Sequence, residues 1–218
     1  GTVADIKSAF AGTVTEHTGT LEITDANTTD ITATHITDIN GTNTGTITVT
    51  NAIDINGSGS EVKAAFDAID TNTGNATANI TGTDYTVAQL KAINNATTGA
   101  IVLATSTSEA LSGDGTDLAA ALAGTINYTG NVTVTDNAYT IAELVAINAG
   151  TTGEIALTSA GVALSGTVAD IKSAFAGTVT EHTGTLEISD AGTTDITATD
   201  ITDINGTNTG TITVANAI

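Results

Sequence analysis

The chain has 218 residues, with 24 Asp and Glu against four Lys and Arg, a formal net charge of −20, and no Cys, Pro, Met or Trp. The absence of Cys excludes disulfides and thiolate metal sites, and the acidity argues against nucleic-acid binding, which needs basic patches. Hydrophobic residues make up 40% of the chain at regular positions, which argues against disorder, and no apolar run approaches the roughly 18 residues of a membrane span.

An internal copy dominates the sequence. Residues 1–53 return as residues 166–218 with four changes, in which Thr24, Asn27, His35 and Thr50 become Ser189, Gly192, Asp200 and Ala215. The segment DIKSAF at 5–10 also recurs, in related forms, at 61–66, 117–122 and 170–175. This recurrence predicts one continuous array over 1–218, built of repeat units 1–56, 57–112, 113–165 and 166–218. Position 1 is Gly, so we expect a fragment of a longer chain.

Helical and strand periods alternate along the chain. Val3, Ile6 and Phe10 have helical spacing, which returns at 87–93 and 141–147. After each of eight Thr-Gly pairs comes a short apolar alternation, as at Leu21 and Ile23, which predicts a strand with one buried face. The Thr-rich segments 30–40 and 195–205 leave helix and strand both open.

The Thr-Gly pairs recur about every 27 residues, which is the length of one coil of a solenoid. The sequence therefore predicts a β-rich parallel solenoid, β-helix-like, with a short helix in most coils and eight coils of about 27 residues. The glycine of each pair is expected to give the turn its backbone freedom.

The segment Gly-Thr-Val-Ala-Asp-Ile-Lys-Ser-Ala-Phe at 1–10 and 166–175, joined to Thr-Gly-Thr-Ile-Thr-Val at 44–49 and 209–214, carries a resemblance. It resembles the Thr/Ala/Gly/Asp-rich tandem repeats of giant cell-surface proteins of marine bacteria, notably cyanobacteria, of the adhesin, S-layer and RTX-like kinds. The resemblance implies an extracellular, elongated protein with a structural or adhesive role and with calcium as a candidate cofactor. It supplies no catalytic residues.

Two stretches place oxygen donors in patterns that suit Ca²⁺, which takes six to eight oxygen ligands. The first is repeated and gives the candidate metal ligands Asp38, Asn40 and Asn43 and their copies Asp203, Asn205 and Asn208. The second, Asp114 with Asp117, comes near the glycine-aspartate calcium nonapeptide, although Leu118 follows the second Asp immediately. The spacing of an EF-hand is absent.

Other polar residues favour structural roles. His17 and His182 each follow a Glu, a pair that suits acid-base work or a metal, but a polar loop is the expected setting. Equivalent asparagines before the even-numbered Thr-Gly pairs are expected to cap their own helices in the left-handed conformation, at 40, 94, 148 and 205. Tyr85 and Tyr139 are expected in the core.

Three functions are compatible with these patterns. The first is a structural repeat segment (stalk, spacer or fibre-forming) of a large extracellular bacterial surface protein, Ca-rigidified or not, with no catalytic activity. The alternative is an adhesive module that binds glycans or Ca-bridged surfaces. The remote alternative is a polysaccharide-active β-helix enzyme, which the lack of Arg disfavours. The expected partners are neighbouring repeats of the same chain, or identical chains stacked end to end or side by side, with no nucleic acid and no membrane span.

Overall fold

The computed structural model describes residues 1–12, 14, 16–105 and 110–216. The chain is α/β and forms two compact units. The first unit comprises Gly1–Ser108 with Gly124–Asn127, and the second comprises Glu109–Ala123 with Tyr128–Ile218. Within each unit, short helices alternate with short parallel strands.

Each unit contains four of the helices found in the described residues. In the first unit they are α1 (Val3–Phe10), α2 (Ala33–Thr42), α3 (Gly59–Ala68) and α4 (Val87–Ala96). In the second unit they are α5 (Gly115–Ala121), α6 (Ile141–Gly150), α7 (Val168–Ala174) and α8 (Ala198–Asn205). The helices predicted from apolar spacing are confirmed, and the two open Thr-rich segments contain α2 and α8.

Side-chain caps explain where most of these helices begin. The Thr2 hydroxyl accepts a hydrogen bond from the Asp5 N–H at the start of α1, and the Asp114 carboxylate accepts one from the Asp117 N–H at the start of α5. In α3, α4, α6 and α8 the third helical residue also accepts from the main chain of the cap, which completes a capping box. Each cap satisfies main-chain N–H groups that the helix itself leaves without acceptors.

The first unit holds two parallel sheets. One has the strand order β1-β3-β5, with β1 at Leu21–Ile23, β3 at Ile47–Val49 and β5 at Thr71–Asn72. The other has the order β2-β4-β6-β7, with β2 at Asp30–Thr32, β4 at Asp54–Gly57, β6 at Thr77–Ile80 and β7 at Ile101–Leu103. Equivalent apolar residues lie side by side across strands, as Ile23 does with Val49.

The second unit also holds two parallel sheets. One has the order β8-β9-β10, with β8 at Leu111–Gly113, β9 at Val132–Val134 and β10 at Ile155–Leu157. The other has the order β11-β12-β13, with β11 at Leu164–Gly166, β12 at Leu186–Ile188 and β13 at Ile212–Val214. The strands predicted from alternation after Thr-Gly are confirmed in this unit as β9, β10, β12 and β13.

Aliphatic side chains from strands and helices form the core of each unit. In the first unit Ile36 and Ile39 of α2 are buried together with the inward-facing residues of β1 and β3, which include Ile23, Ile47 and Val49. In the second unit Leu144, Ile147, Ile155 and Leu186 are fully or almost fully buried. Burying each such side chain contributes roughly 1.5–3 kcal/mol relative to leaving it in water.

The prediction of a β-helix-like solenoid with eight coils is wrong. The strands are only two to four residues long, and hydrogen bonds join them into four separate sheets of three or four strands rather than into continuous sheets. β3 pairs with β1 and β5, whereas β4, a few residues later, pairs with β2 and β6 in another sheet. The alternation of apolar residues identified most strands, but not β2, β5 or β8, and it carried no information on which strands share a sheet. The expectations of an adhesin and of calcium, which accompanied this fold, gain no support from it.

The glycines of the Thr-Gly pairs have a different role from the one expected. A Cβ on Gly45 would collide with the main-chain carbonyl of Gly19, and a Cβ on Gly210 would collide with that of Gly184. Neither Gly45 nor Gly210 has the positive φ that only glycine adopts readily. The two main chains lie so close that no side chain fits, and this approach, not backbone freedom, requires glycine.

Candidate functional site

The most constrained polar group of the second unit is the imidazole of His182, which is 0% exposed. Its Nδ1 lies 2.8 Å from Oδ1 of Asn208, and its Nε2 lies 2.7 Å from the carbonyl oxygen of Val162. The ring of Phe175 packs against it at a centroid distance of 5.7 Å. The expectation of a polar loop for His182 is therefore wrong, since the ring is part of a buried network.

Hydrogen bonds to Gly210 determine the orientation of the Asn208 amide. Its Nδ2 donates to the Gly210 carbonyl at 3.0 Å, and its Oδ1 accepts from the Gly210 N–H at 3.2 Å. Because Oδ1 is an acceptor, Nδ1 of His182 is the donor in their bond. The Val162 carbonyl is also an acceptor, so this site offers the ring two acceptors and no donor.

The first copy repeats this arrangement in the first unit. Nδ1 of His17 lies 2.9 Å from Oδ1 of Asn43, and Phe10 packs against the imidazole at 5.8 Å. The Asn43 amide donates to the Gly45 carbonyl at 2.6 Å, as Asn208 does to Gly210. His17 is only half-buried, and among the described residues no carbonyl corresponding to that of Val162 contacts its Nε2.

The predicted metal ligands divide between two environments. Asp38 and Asp203 lie on helix surfaces and form ion pairs with Lys7 at 3.0 Å and with Lys172 at 2.7 Å, respectively. Asn43 and Asn208 are buried in the histidine pairs described above. The structure thus separates the predicted ligands of each copy: the carboxylate lies on a helix, and the second Asn pairs with the histidine through a parallel β-bridge.

The remaining predicted ligands also have local roles or none. Asp114 caps α5, Asp117 lies in its first turn, and Asn40 and Asn205 are exposed on α2 and α8. No group of three or more His, Asp or Glu side chains suited to a metal ion occurs within residues 1–12, 14, 16–105 and 110–216. The metal assignment stays a prediction, and the observed contacts account for the carboxylates at 38, 114 and 203 without it.

The densest charged cluster lies between α7 and α8. Lys172 contacts Asp203 at 2.7 Å and Asp200 at 3.1 Å, and these two hydrogen bonds raise the pKa of Lys172. The Thr197 hydroxyl, the Thr197 N–H and then Lys172 lower the pKa of Asp200 to about 2. Solvent surrounds this cluster, so it is an ion-pair network on a helix surface, typical of a stabilising surface rather than of a reactive site.

Asn148 has a role that the sequence analysis missed. It lies within α6 in a helical conformation, and its amide Nδ2 donates to main-chain carbonyls at the end of α7, including Ser173 and Ala176, each at 2.8 Å. The predicted cap of its own helix in the left-handed conformation is wrong, because neither it nor the other three asparagines has positive φ. The recurrence of Asn near the end of every second helix was the available signal, but it did not show which helix is capped.

A shallow apolar groove of about 260 Å³ lies between α1 and α2 in the first unit. It is lined by Phe10, Ala11, Ile39 and Thr42, with Lys7 and Asp38 at its rim. The rim charges neutralise each other through their ion pair, and the groove brings no nucleophile or general base together. Its geometry suits apolar packing rather than chemistry.

Comparison with protein-family models, with curated proteins and with solved structures finds no match for this chain. Across the described ranges, the longest helices have ten residues and none combines the length and apolarity needed to cross a bilayer. Every buried side-chain polar atom in those ranges has a hydrogen-bond partner.

Proposed function

We propose that this chain is a structural repeat segment, a stalk or spacer, of a large extracellular protein at the bacterial surface, and that it has no catalytic activity. One observation carries the proposal. The network of His, Asn and Gly occurs at corresponding positions in both copies, with His17, Asn43 and Gly45 matched by His182, Asn208 and Gly210. A catalytic site is needed only once in a protein, whereas the hydrogen bonds that hold a repeat together are needed in every repeat.

The ionisable groups support the same role. Glu61 and Asp114 cap α3 and α5, and the acids at 38, 200 and 203 pair with lysines on neighbouring helices. A surface with a net charge of −20 keeps such a segment soluble and disfavours nonspecific association. The resemblance of residues 1–10 and 44–49 to the tandem repeats of bacterial surface proteins supports the extracellular location.

Immunolabelling tests the location. Antibodies raised against the 218-residue chain should label intact cells of the bacterium that encodes it, with an antibody against a cytoplasmic protein as the control for membrane integrity. Labelling that appears only after permeabilisation would contradict a surface role.

Incubation with polysaccharides tests the lack of catalysis. The purified chain, mixed with acidic and neutral polysaccharides, should release no new reducing ends or unsaturated products. Turnover of any of them, if abolished by a single substitution in this chain, would overturn the proposal.

A further inference from the structure

One sequence position recurs before every Thr-Gly turn. We call each Thr-Gly turn with the strand that follows it a segment, and the residue two positions before its glycine the pairing residue. Each repeat unit contains an early and a late segment, and their strands pair in parallel. The early pairing residues are His17, Asn72, Tyr128 and His182, and the late ones are Asn43, Thr97, Thr151 and Asn208.

The late pairing residues share one environment. All four are buried, with exposed fractions between 2% and 6%. Each accepts a hydrogen bond from the N–H of its own glycine, two residues later. Asn43 and Asn208 accept through Oδ1 at 3.3 and 3.2 Å, and Thr97 and Thr151 accept through Oγ1 at 3.0 Å. This shared bond orients the side-chain oxygen in the same way at all four turns.

The two threonines complete their bonds with the main chain of the early segment. The Thr97 hydroxyl donates to the Ala76 carbonyl, and the Thr151 hydroxyl donates to the Gly130 carbonyl, both at 2.7 Å. A hydroxyl carries its own proton, so any well-placed carbonyl can satisfy it. The early pairing residue can therefore differ in these repeat units, and it is Asn in one and Tyr in the other.

The two late asparagines have a different requirement. Their Nδ2 atoms donate to the carbonyls of Gly45 and Gly210, at 2.6 and 3.0 Å, so Oδ1 points at the early segment without a proton. The early segment must supply the donor, and Nδ1 of His17 and of His182 does so at 2.9 and 2.8 Å. A carbonyl in place of the imidazole would bring two buried acceptors together with no proton between them.

We propose that the pairing residues are a matching code that determines which early segment accepts which late segment. Asn in the late segment requires the N–H donor of His in the early one, whereas Thr requires only a main-chain carbonyl. The code penalises wrong neighbours in a chain of similar segments. A late segment with Asn43 would find no donor beside Tyr128, for example, because that hydroxyl donates to the Asn131 carbonyl at 2.7 Å. The proposal goes beyond the proposed function, since it holds wherever the protein is located.

A transplanted pair in the second unit tests the code. The reporter is the exchange of the Val132 N–H, which donates to the Glu154 carbonyl at 2.8 Å and joins the two segments. Thr151→Asn should accelerate this exchange about tenfold or more, because Oδ1 then faces the Gly130 carbonyl. Adding Tyr128→His should restore most of the protection. Adding Tyr128→Phe is the matched control, which supplies a ring without a donor and should restore none.

The reverse exchange in the first unit is an independent test. The reporter is the Leu21 N–H, which donates to the Thr46 carbonyl at 2.8 Å. His17→Tyr removes the donor to Asn43 and should accelerate exchange about fivefold. Adding Asn43→Thr should restore the protection, because the new hydroxyl can donate to the Gly19 carbonyl. Adding Asn43→Val, which has nearly the shape of Thr but no hydroxyl, should not.

Two results would overturn the matching code. One is full protection in Thr151→Asn alone, and the other is equal recovery with Tyr128→Phe and with Tyr128→His. If the circular dichroism shows that Tyr128→His prevents folding, the first unit decides, and recovery with Asn43→Thr no better than with Asn43→Val would also overturn the code. None of these results bears on surface labelling, so the code and the proposed function can fail separately.

Discussion

Nε2 of His182 lies 2.7 Å from the carbonyl oxygen of Val162, and no equivalent contact forms at His17 within the described residues. The two histidines occupy the same position in two nearly identical sequences. The difference in burial between the two histidines therefore shows what the segment around Val162 contributes. For this reason His17 can serve as an internal reference for His182.

We predict that His182→Ala destabilises its surroundings more than His17→Ala does. The first change removes the partner of the buried Val162 carbonyl and one of the two partners of the Asn208 Oδ1, at a cost of about 2–4 kcal/mol, whereas the second should cost about 1 kcal/mol. Amide hydrogen exchange can measure the two losses of stability locally. The reporters are the Thr209 N–H, which donates to the main-chain carbonyl of His182, and the Thr44 N–H, which donates to that of His17. Equal losses of protection would show that the Val162 contact contributes nothing.

The N-terminus of α8 gives a prediction about acid. Hydrogen bonds from Thr197, and then from Lys172, lower the pKa of Asp200 from its ordinary 3.8 to about 2. The charged form is favoured in the folded state, so this stabilisation is present above about pH 4 and is lost as the pH falls toward 2. Melting temperatures between these pH values should fall less steeply for Asp200→Asn than for the unmodified chain. Identical slopes would contradict the assignment.

In the first copy, His35 occupies the position of Asp200. At the start of α2, Thr32 makes no side-chain cap, and the third helical residue there is His35, which lacks the carboxylate that completes the capping box in α8. His35→Asp should create the capping box seen in α8 and stabilise the first unit by about 0.5–1 kcal/mol. Chemical denaturation at neutral pH measures this gain, with His35→Asn as the control that lacks the charge.

Gly45 and Gly41 form a matched pair for testing the close approach of the main chains. Gly45→Ala would place a methyl group against the Gly19 carbonyl and should cost about 2–3 kcal/mol or more, because main-chain atoms must move. Gly41→Ala, four residues earlier in α2, meets no atom within 4 Å and should stabilise the helix by up to about 1 kcal/mol. Thermal melts of both variants settle the comparison, and a tolerated Gly45→Ala would refute the packing argument.

Tyr139 gives a prediction at high pH. Burial, and then the charge of Asp136, raises its pKa from the ordinary 10.0 to about 12. The folded state keeps the proton longer than the unfolded state, so stability should decline as pH rises from about 10 toward 12. Tyr139→Phe should remove this part of the decline.

At neutral pH the same substitution should cost about 1 kcal/mol, because the hydroxyl donates to the Ser159 carbonyl at 2.7 Å. Tyr85→Phe removes the corresponding 2.9 Å bond to Thr105 in the first unit and is the control for that cost. A larger alkaline decline in Tyr139→Phe than in the unmodified chain would contradict the pKa shift.

Local structure was predictable from the sequence because its causes are local. The spacing of Val3, Ile6 and Phe10 and the acid in the first turn predicted α1, and the alternation at Leu21 and Ile23 predicted β1. The assembly of strands into sheets was not predictable in this way. Whether β4 joins β3 or β2 depends on contacts between segments more than 20 residues apart, and the apolar pattern is the same in both cases.

The candidate site shows the same limit. The pairing of His182 with Asn208 spans 26 residues, and the sequence contained both residues in each copy without indicating that they meet. One of the four changes between the copies replaces His35, which does not cap α2, by Asp200, which caps α8. That difference was visible in the sequence, but its meaning required the position of Thr197 relative to the helix start.

Two nearly identical segments that fold into nearly identical networks also create an ambiguity during folding. The segment that forms α1 has the sequence that α6 accepts in α7, so a chain that is still folding holds two candidates for one surface. Docking the first copy there would give a misfolded intermediate that closes a loop from residue 10 to residue 141, and it must unfold before the native pairing forms. Refolding is therefore expected to show a slow phase, which should vanish in a chain that lacks residues 1–53, because only the second copy then remains to dock on α6.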